Sequence, residues 1–173
     1  LGSGVAWSDD GGASFGAVQL PDQIPQIVTD MASDAADPAT LYLATGGQGV
    51  LKSTDGGGHW RFANAGLGSL SLLALAVHPT RSGELYAGTH GGVFVSKNGG
   101  ASWTGLNDGL VNRNVTSLAF DKALPNILYV GLEGGGSLGM AIDEGIAYVV
   151  AHLERLRTDG GPHPGEEPAR RNL

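Results

Sequence analysis

The sequence has no cysteine, so it can build neither a disulfide nor a thiolate ligand or nucleophile. Aromatic residues are sparse, at 6%, and Met occurs twice. Lys and Arg number 10 against 17 Asp and Glu, a net charge of −7. That balance argues against nucleic acid as a partner, because phosphates demand clustered cations. No apolar run approaches the ~18 residues of a membrane-crossing helix, so no membrane span is expected. The five histidines (His59, His78, His90, His152, His163) show no i, i+4 pairing, and no metal site is expected. Glycine is what the chain has in excess, 30 of 173 residues, with no collagen triplet. That pattern fits many tight turns between short strands. The apolar fraction of 41% is sufficient for a core and excludes a disordered composition. The chain opens on Leu1 with no basic-then-apolar leader, so either a leader was removed or the sequence was cut from a longer one.

One motif organises the rest. Ser53-Thr54-Asp55-Gly56-Gly57-Gly58-His59-Trp60 returns as Ser96-Lys97-Asn98-Gly99-Gly100-Ala101-Ser102-Trp103. An earlier copy is Ser8-Asp9-Asp10-Gly11-Gly12-Ala13-Ser14-Phe15, so the copies lie 45 and 43 residues apart. The pair Leu-Tyr keeps the same beat at Leu41-Tyr42, Leu85-Tyr86 and Leu128-Tyr129. A period of about 40–50 residues is that of a propeller blade, a unit of four short antiparallel strands. In each copy a short polar side chain (Asp10, Asp55, Asn98) can accept N–H groups of its own turn. Gly12, Gly57 and Gly100 permit positive φ. Phe15, Trp60 and Trp103 then start a returning strand and can pack between units.

In chain order, 4–7 and 14–20 read as a hairpin, followed by a proline-broken connection at 21–25. One unit of four strands follows at 26–32, 40–45, 49–53 and 59–63. A second occupies 70–77, 84–89, 92–96 and 103–106. A third begins with 115–120 and 127–132 and then loses the pattern. After Glu133 the spacing of Ile142, Ile146, Val149 or Val150, Leu153 and Leu156 predicts an amphipathic helix, with Val149-Val150 leaving a strand open. Residues 158–173, with three prolines and mixed charge, predict a disordered tail. The expected organisation is therefore 1–132 repeats, 133–157 Gly-rich linker and helix, and 158–173 tail. The opening strand pair and the closing pair add to about three blades, fewer than the 4–8 a closed ring takes. Either two chains complete a six-bladed homodimer, each closing pair joining the partner's opening pair, or the sequence is part of a longer propeller.

The pattern Ser-x-Asp-x-Gly-x-Thr/Ser-aromatic resembles the Asp-box, or BNR repeat, of sialidases, sortilin-type receptors, xyloglucan-active glycosidases and photosystem II assembly factors. The first copy matches throughout, the second has His59 for Thr or Ser, and the third has Asn98 for Asp. The resemblance covers residues 4–132. It implies an all-β propeller with these motifs at strand-three-to-four corners, away from the ligand face, and it favours a secreted or extracytoplasmic location. Ser8, Asp10, Gly12, Phe15, Ser53, Asp55, Gly57, Trp60, Ser96, Asn98, Gly100 and Trp103 are then structural.

Candidate chemistry is thin. Gly134-x-Gly136-x-x-Gly139 has the local form of a dinucleotide turn, but too little chain follows for the second parallel strand, so it reads as a linker. The Asp-Gly-Gly turns lack the spaced oxygen ligands of a calcium loop. A glycosidase needs two carboxylates about the scissile bond. A sialidase-like site would add an arginine cluster, whereas Arg61, Arg81 and Arg113 are dispersed. No catalytic residue and no cofactor are expected. Gln48, His90, Arg113 and Asn114, on loops joining strands two and three or successive blades, are the candidate ligand-binding side chains. The expected function is a binding or scaffold module for a protein or carbohydrate partner. The alternative is part of a secreted sialidase- or xyloglucanase-like glycoside hydrolase whose catalytic residues lie elsewhere.

Overall fold

The computed structural model describes residues 5–18, 20, 27–110, 112–133, 136–143 and 146–150. Its strands are β1 (Ala6–Trp7), β2 (Gly16–Ala17), β3 (Val28–Ser33), β4 (Leu41–Thr45), β5 (Gly49–Ser53), β6 (Arg61–Phe62) and β7 (Leu72–Val77). There follow β8 (Leu85–Thr89), β9 (Gly92–Ser96), β10 (Thr104–Gly105), β11 (Val115–Phe120), β12 (Ile127–Leu132), β13 (Gly136–Asp143) and β14 (Ile146–Val150). β1 and β2 form a hairpin, and three antiparallel meanders of four strands succeed it: blade 1 (β3–β6), blade 2 (β7–β10) and blade 3 (β11–β14). The first strand of each blade carries a register shift at the same point, between Val28 and Asp30, Leu72 and Ala74, and Val115 and Ser117.

Blade 3 corrects the sequence reading. The helix expected from residue 138 is replaced by two strands, with Val130 opposite Leu138 and Ala141 opposite Tyr148. Ile142, Ile146 and Val149 suit a helical spacing, yet β-branched residues also suit strands, and the edge of β12 offers a row of backbone partners. Pairing with that edge decides the conformation. The remainder of the expected helix, 151–156, and the expected tail lie outside the described residues. Gly136 and Gly139 of the expected linker lie within β13. The edge of β12 is thus taken by its own chain, which occupies the place that a strand-exchanged dimer would offer to a partner's opening pair.

Packing between blades explains why the second strands are so apolar. Leu43 and Leu51 pack toward Val5, Leu20 and Trp60. Tyr42, Ala44 and Val50, from the other face of the same sheet, join Leu72, Leu85, Ala87, Phe94 and Trp103 between blades 1 and 2. Tyr86 and Val93 face onward to Val115, Leu128 and Val130 between blades 2 and 3. Every residue of β8 is buried, since it has a blade on each side.

The three repeated corners share one backbone hydrogen-bond pattern despite their substitutions. Ser8, Ser53 and Ser96 each donate to the side-chain oxygen two residues on, at 2.8, 2.8 and 2.9 Å. The same serine oxygens accept from Gly12, Gly57 and Gly100 N–H at 2.8, 2.9 and 2.9 Å. Asp10, Asp55 and Asn98 accept from the backbone N–H of Ser14, His59 and Ser102. His59 stands in for a hydroxyl by placing Nδ1 2.6 Å from the Asp55 carboxylate. Asn98 reverses the last bond, its amide donating to Ser102 Oγ at 2.8 Å. Gly57 and Gly100 lie at φ 94° and 83°, where a side chain would be strained. The Asp10 carboxyl is held far below its ordinary range by Ser14, then Ser8, and that of Asp55 by His59, then Ser53. The aromatics differ in burial. Trp103 is buried and donates from Nε1 to Ala63 O of the preceding blade at 2.7 Å. Trp60 is half-buried and donates to its own corner at Gly57 O. Phe15 is exposed.

Candidate functional site: the loop rim between blades 2 and 3

Antiparallel strands put the corners at one end of each sheet and the second-to-third strand turns at the other. The connections between blades share the latter end. Gly46 bridges to Ser71, and Gly49 N–H donates to Leu70 O at 2.8 Å. Asn64 binds this rim together in blade 1, accepting from Val50 N–H at 2.7 Å and donating to Gln48 O at 2.8 Å. Asn107, 43 residues on, accepts from Val93 N–H in the same way.

At the junction of blades 2 and 3 this rim carries side chains beyond what the backbone needs. His90, in the β8–β9 turn, lies with Nδ1 2.5 Å from Asn114 Oδ1. Asn114 Nδ2 donates in turn to Glu133 Oε2. Asn112 is fixed beneath them, donating to Glu133 O at 2.6 Å and accepting from Asn114 N–H at 2.9 Å. Because the Asn114 amide donates to a carboxylate, its oxygen faces His90, which must donate from Nδ1. The neutral imidazole then presents Nε2 as an acceptor. Arg113, between the two asparagines, is exposed and makes no hydrogen bond or ion pair with a described residue. The set offers acceptors at His90 and Glu133, with the exposed Arg113 next to it in the chain. A single carboxylate belongs to it, whereas hydrolysis of a glycosidic bond uses two.

Of the four candidate residues, the fold joins His90 and Asn114 directly and places Arg113 beside them. Gln48 is on the rim of blade 1, where its N–H donates to Thr45 Oγ1 at 2.9 Å. Asn112 and Glu133 escaped the sequence reading. The periodicity marks both: Glu133 follows His90 by 43 residues, and Asn112 follows Ser69 by the same interval. Among the described residues no three His, Asp or Glu side chains gather as a metal cage, and no helix is long and apolar enough to cross a membrane.

Neither a protein-family model nor a curated protein matches the sequence. Solved structures do match. An ancestral GH74 enzyme is similar at TM-score 0.60 and 23% identity, over 72% of this chain and 18% of that one. The GH74 xyloglucanase from Xanthomonas campestris is similar at TM-score 0.60 and 17% identity, over 90% of this chain and 26% of that one. The fold is that of β-propeller blades. YCF48 from Cyanidioschyzon merolae is similar at TM-score 0.55 and 20% identity, over 76% of this chain and 38% of that one. This chain therefore spans well under half the length of each of these three proteins.

Proposed function

We propose that this chain is a stretch of a larger β-propeller, with Asp-box corners, that serves as a non-catalytic binding module. Its partner meets the loop rim at the junction of blades 2 and 3. The observation carrying this reading is the His90–Asn114–Glu133 chain of hydrogen bonds, with Arg113 beside it. Three side chains from two blades are ordered there without closing a turn or filling a core. Such a set of fixed acceptors with an exposed cationic residue next in sequence suits the hydroxyls of a glycan, for which both partners of each hydrogen bond matter.

Calorimetric titration with xyloglucan oligosaccharides tests this, the probe being chosen because one structural neighbour is a xyloglucanase. Saturable binding that weakens about tenfold in Asn114→Ala and Glu133→Gln supports the reading, the loss expected of a hydrogen bond to a charged or fixed group. Heat from a protein ligand but from no glycan would redirect it to a protein partner. Binding equally strong in both variants would remove the rim from consideration.

A second reading is that the chain is part of a glycoside hydrolase whose catalytic carboxylates lie elsewhere. Similarity to the Xanthomonas campestris xyloglucanase over 90% of this chain favours it. Release of reducing ends by this chain, abolished by a carboxylate substitution, would displace the non-catalytic reading.

A further inference from the structure

The geometry points to a second binding site, for an oxyanion of carboxylate or phosphate type, held between Lys52 and Arg61 at the junction of blades 1 and 2. It lies toward the opposite end of the strands from the His90 rim and does not depend on the reading given for that rim. Lys52 on β5 and Arg61 on β6 are direct cross-strand partners. Like charges in that relation repel and destabilise a sheet. The fold does not require them, since blade 2 places Val95 opposite Thr104 at the same position.

The pair lines a cleft of about 340 Å³ between the outer strand of blade 1 and the corner of blade 2, with Phe62, Asn64, Asn98 and Gly99 also in its walls. Lys52 is half-buried and held in place: Nζ donates to Gly99 O at 2.9 Å and lies 5.3 Å from the centre of the Tyr42 ring. One of its three donors is used there, which leaves two. Arg61 is exposed and makes no hydrogen bond or ion pair with a described residue. The neutral polar side chains of the walls are each already engaged with the protein. The Asn64 side chain serves Val50 and Gln48, and that of Asn98 serves Ser96 and Ser102. The N–H groups of Gly99 and Gly100 go to Gly83 O and Ser96 Oγ.

The charged donors left over in these walls belong to two cations, and their complement is an anion. A guanidinium fork suits a carboxylate or phosphate with two parallel hydrogen bonds, and the fixed ammonium adds a point charge. Burial, and next the neighbouring Arg61, lowers the Lys52 pKa, and a bound anion would offset both effects.

The test is an NMR titration of the full chain with glucuronate, with inorganic phosphate, and with glucose as the neutral control. Saturable shifts at the Lys52, Arg61 and Gly99 amides with an anion, and none with glucose, are expected. Tighter binding of glucuronate assigns the site to acidic sugars, and tighter binding of phosphate assigns it to phosphate. Affinity should fall about tenfold in Arg61→Thr and again in Lys52→Val, each substitution importing the residue that blade 2 folds with. Without anion, Arg61→Thr should melt no lower than the parent, since a like-charge pair is relieved. A His90→Ala variant should bind the anion unchanged, which separates this site from the rim. Absence of saturation with both anions, or an unchanged affinity in Arg61→Thr and Lys52→Val, would overturn the proposal.

Discussion

The rim between blades 1 and 2 carries Gly46, Ser69 and Ser71 where the rim between blades 2 and 3 carries His90, Asn112 and Asn114. At the opposite end the contrast inverts. The first junction exposes Arg61 unpaired beside Lys52, while the cation of the second junction is fully engaged. Arg81 reaches Glu84 at 3.3 Å, and its Nη2 donates to Asn126 Oδ1 of blade 3 at 2.9 Å. Both junctions share their bulges, their corners and their rim asparagines Asn64 and Asn107. Those shared features meet the needs of the backbone. The polar groups that differ are the ones the fold does not explain, and they are where function is to be sought: the rim of one junction and the cleft of the other.

The largest effect should come from the side chain that ties the first junction across its core. Trp103 is buried, packs with Tyr42 and Val50 of blade 1 and gives its indole N–H to Ala63 O. Trp103→Ala should cost about 3–5 kcal/mol, measured by urea denaturation. Phe15 holds the same motif position but is 69% exposed, with no described blade before it. Phe15→Ala should stay within about 0.5 kcal/mol. Equal losses would mean that the aromatic acts inside its own corner and not between blades.

A smaller effect is expected at Asp34, the polar latch of the first junction. Its carboxylate accepts from Ser82 Oγ and Gly83 N–H of blade 2, both at 2.8 Å, and from Ala36 N–H of its own loop at 3.0 Å. Burial alone would raise its pKa. The hydrogen bonds, led by Gly83, outweigh that and hold it below the ordinary value. Its stabilisation is therefore complete above about pH 4 and lost as pH falls through the depressed folded value. Asp34→Ala should cost about 1–3 kcal/mol at neutral pH, because buried donors lose their acceptor. Asp121 occupies the same place in blade 3, less buried than Asp34, with Ala123 and Leu124 N–H and the Tyr129 hydroxyl as donors. Asp121→Ala should cost less than about 1 kcal/mol, since water replaces it. A larger loss at Asp121 than at Asp34 would reverse the ranking of the junctions.

Most of the blade pattern was legible in the chain because each strand recurs with its turn. The Ser-Asp/Asn-Gly corners fix strands three and four, and the Leu-Tyr pairs fix strand two. Blade 3 was half legible. Its third strand lacks the Gly-Val-Phe-Val-Ser form of β9, and Ile142, Ile146 and Val149 satisfy a helical period as well as a strand. Local pattern could not choose between them, and the open edge of β12 does. The candidate rim was legible at His90, Arg113 and Asn114 because loop position can be read from the repeat. Glu133 was lost to the misread end of blade 3, although it falls on the beat of His90. The Lys52–Arg61 cleft was not legible, since it depends on a cross-strand register and on the corner of the next blade.

The smallest expected effect sharpens the second junction. His78 holds in blade 2 the position of Asp34 and Asp121, and it performs the same task with a ring. Its Nδ1 accepts the backbone N–H of Thr80 at 3.2 Å and of Arg81 at 3.1 Å. The ring is fully buried, with its centre 5.0 Å from that of Phe120 of blade 3. Burial first, and then the Arg81 charge, lower its pKa; Glu84 acts the other way and does not prevail. The fold thus selects the neutral imidazole, while the unfolded chain protonates near pH ~6.5. The stabilisation is complete above that value and declines as pH falls through the lower folded pKa. The carboxylates Asp10, Asp34, Asp55 and Asp121 are all held low and titrate in a more acidic range. Urea midpoints measured from pH 7 down to about pH 5 should therefore fall in the parent. They should stay flat in His78→Asn, which keeps an acceptor at the turn but cannot take up a proton there. An unchanged slope in that variant would take the acid sensitivity away from the His78 turn.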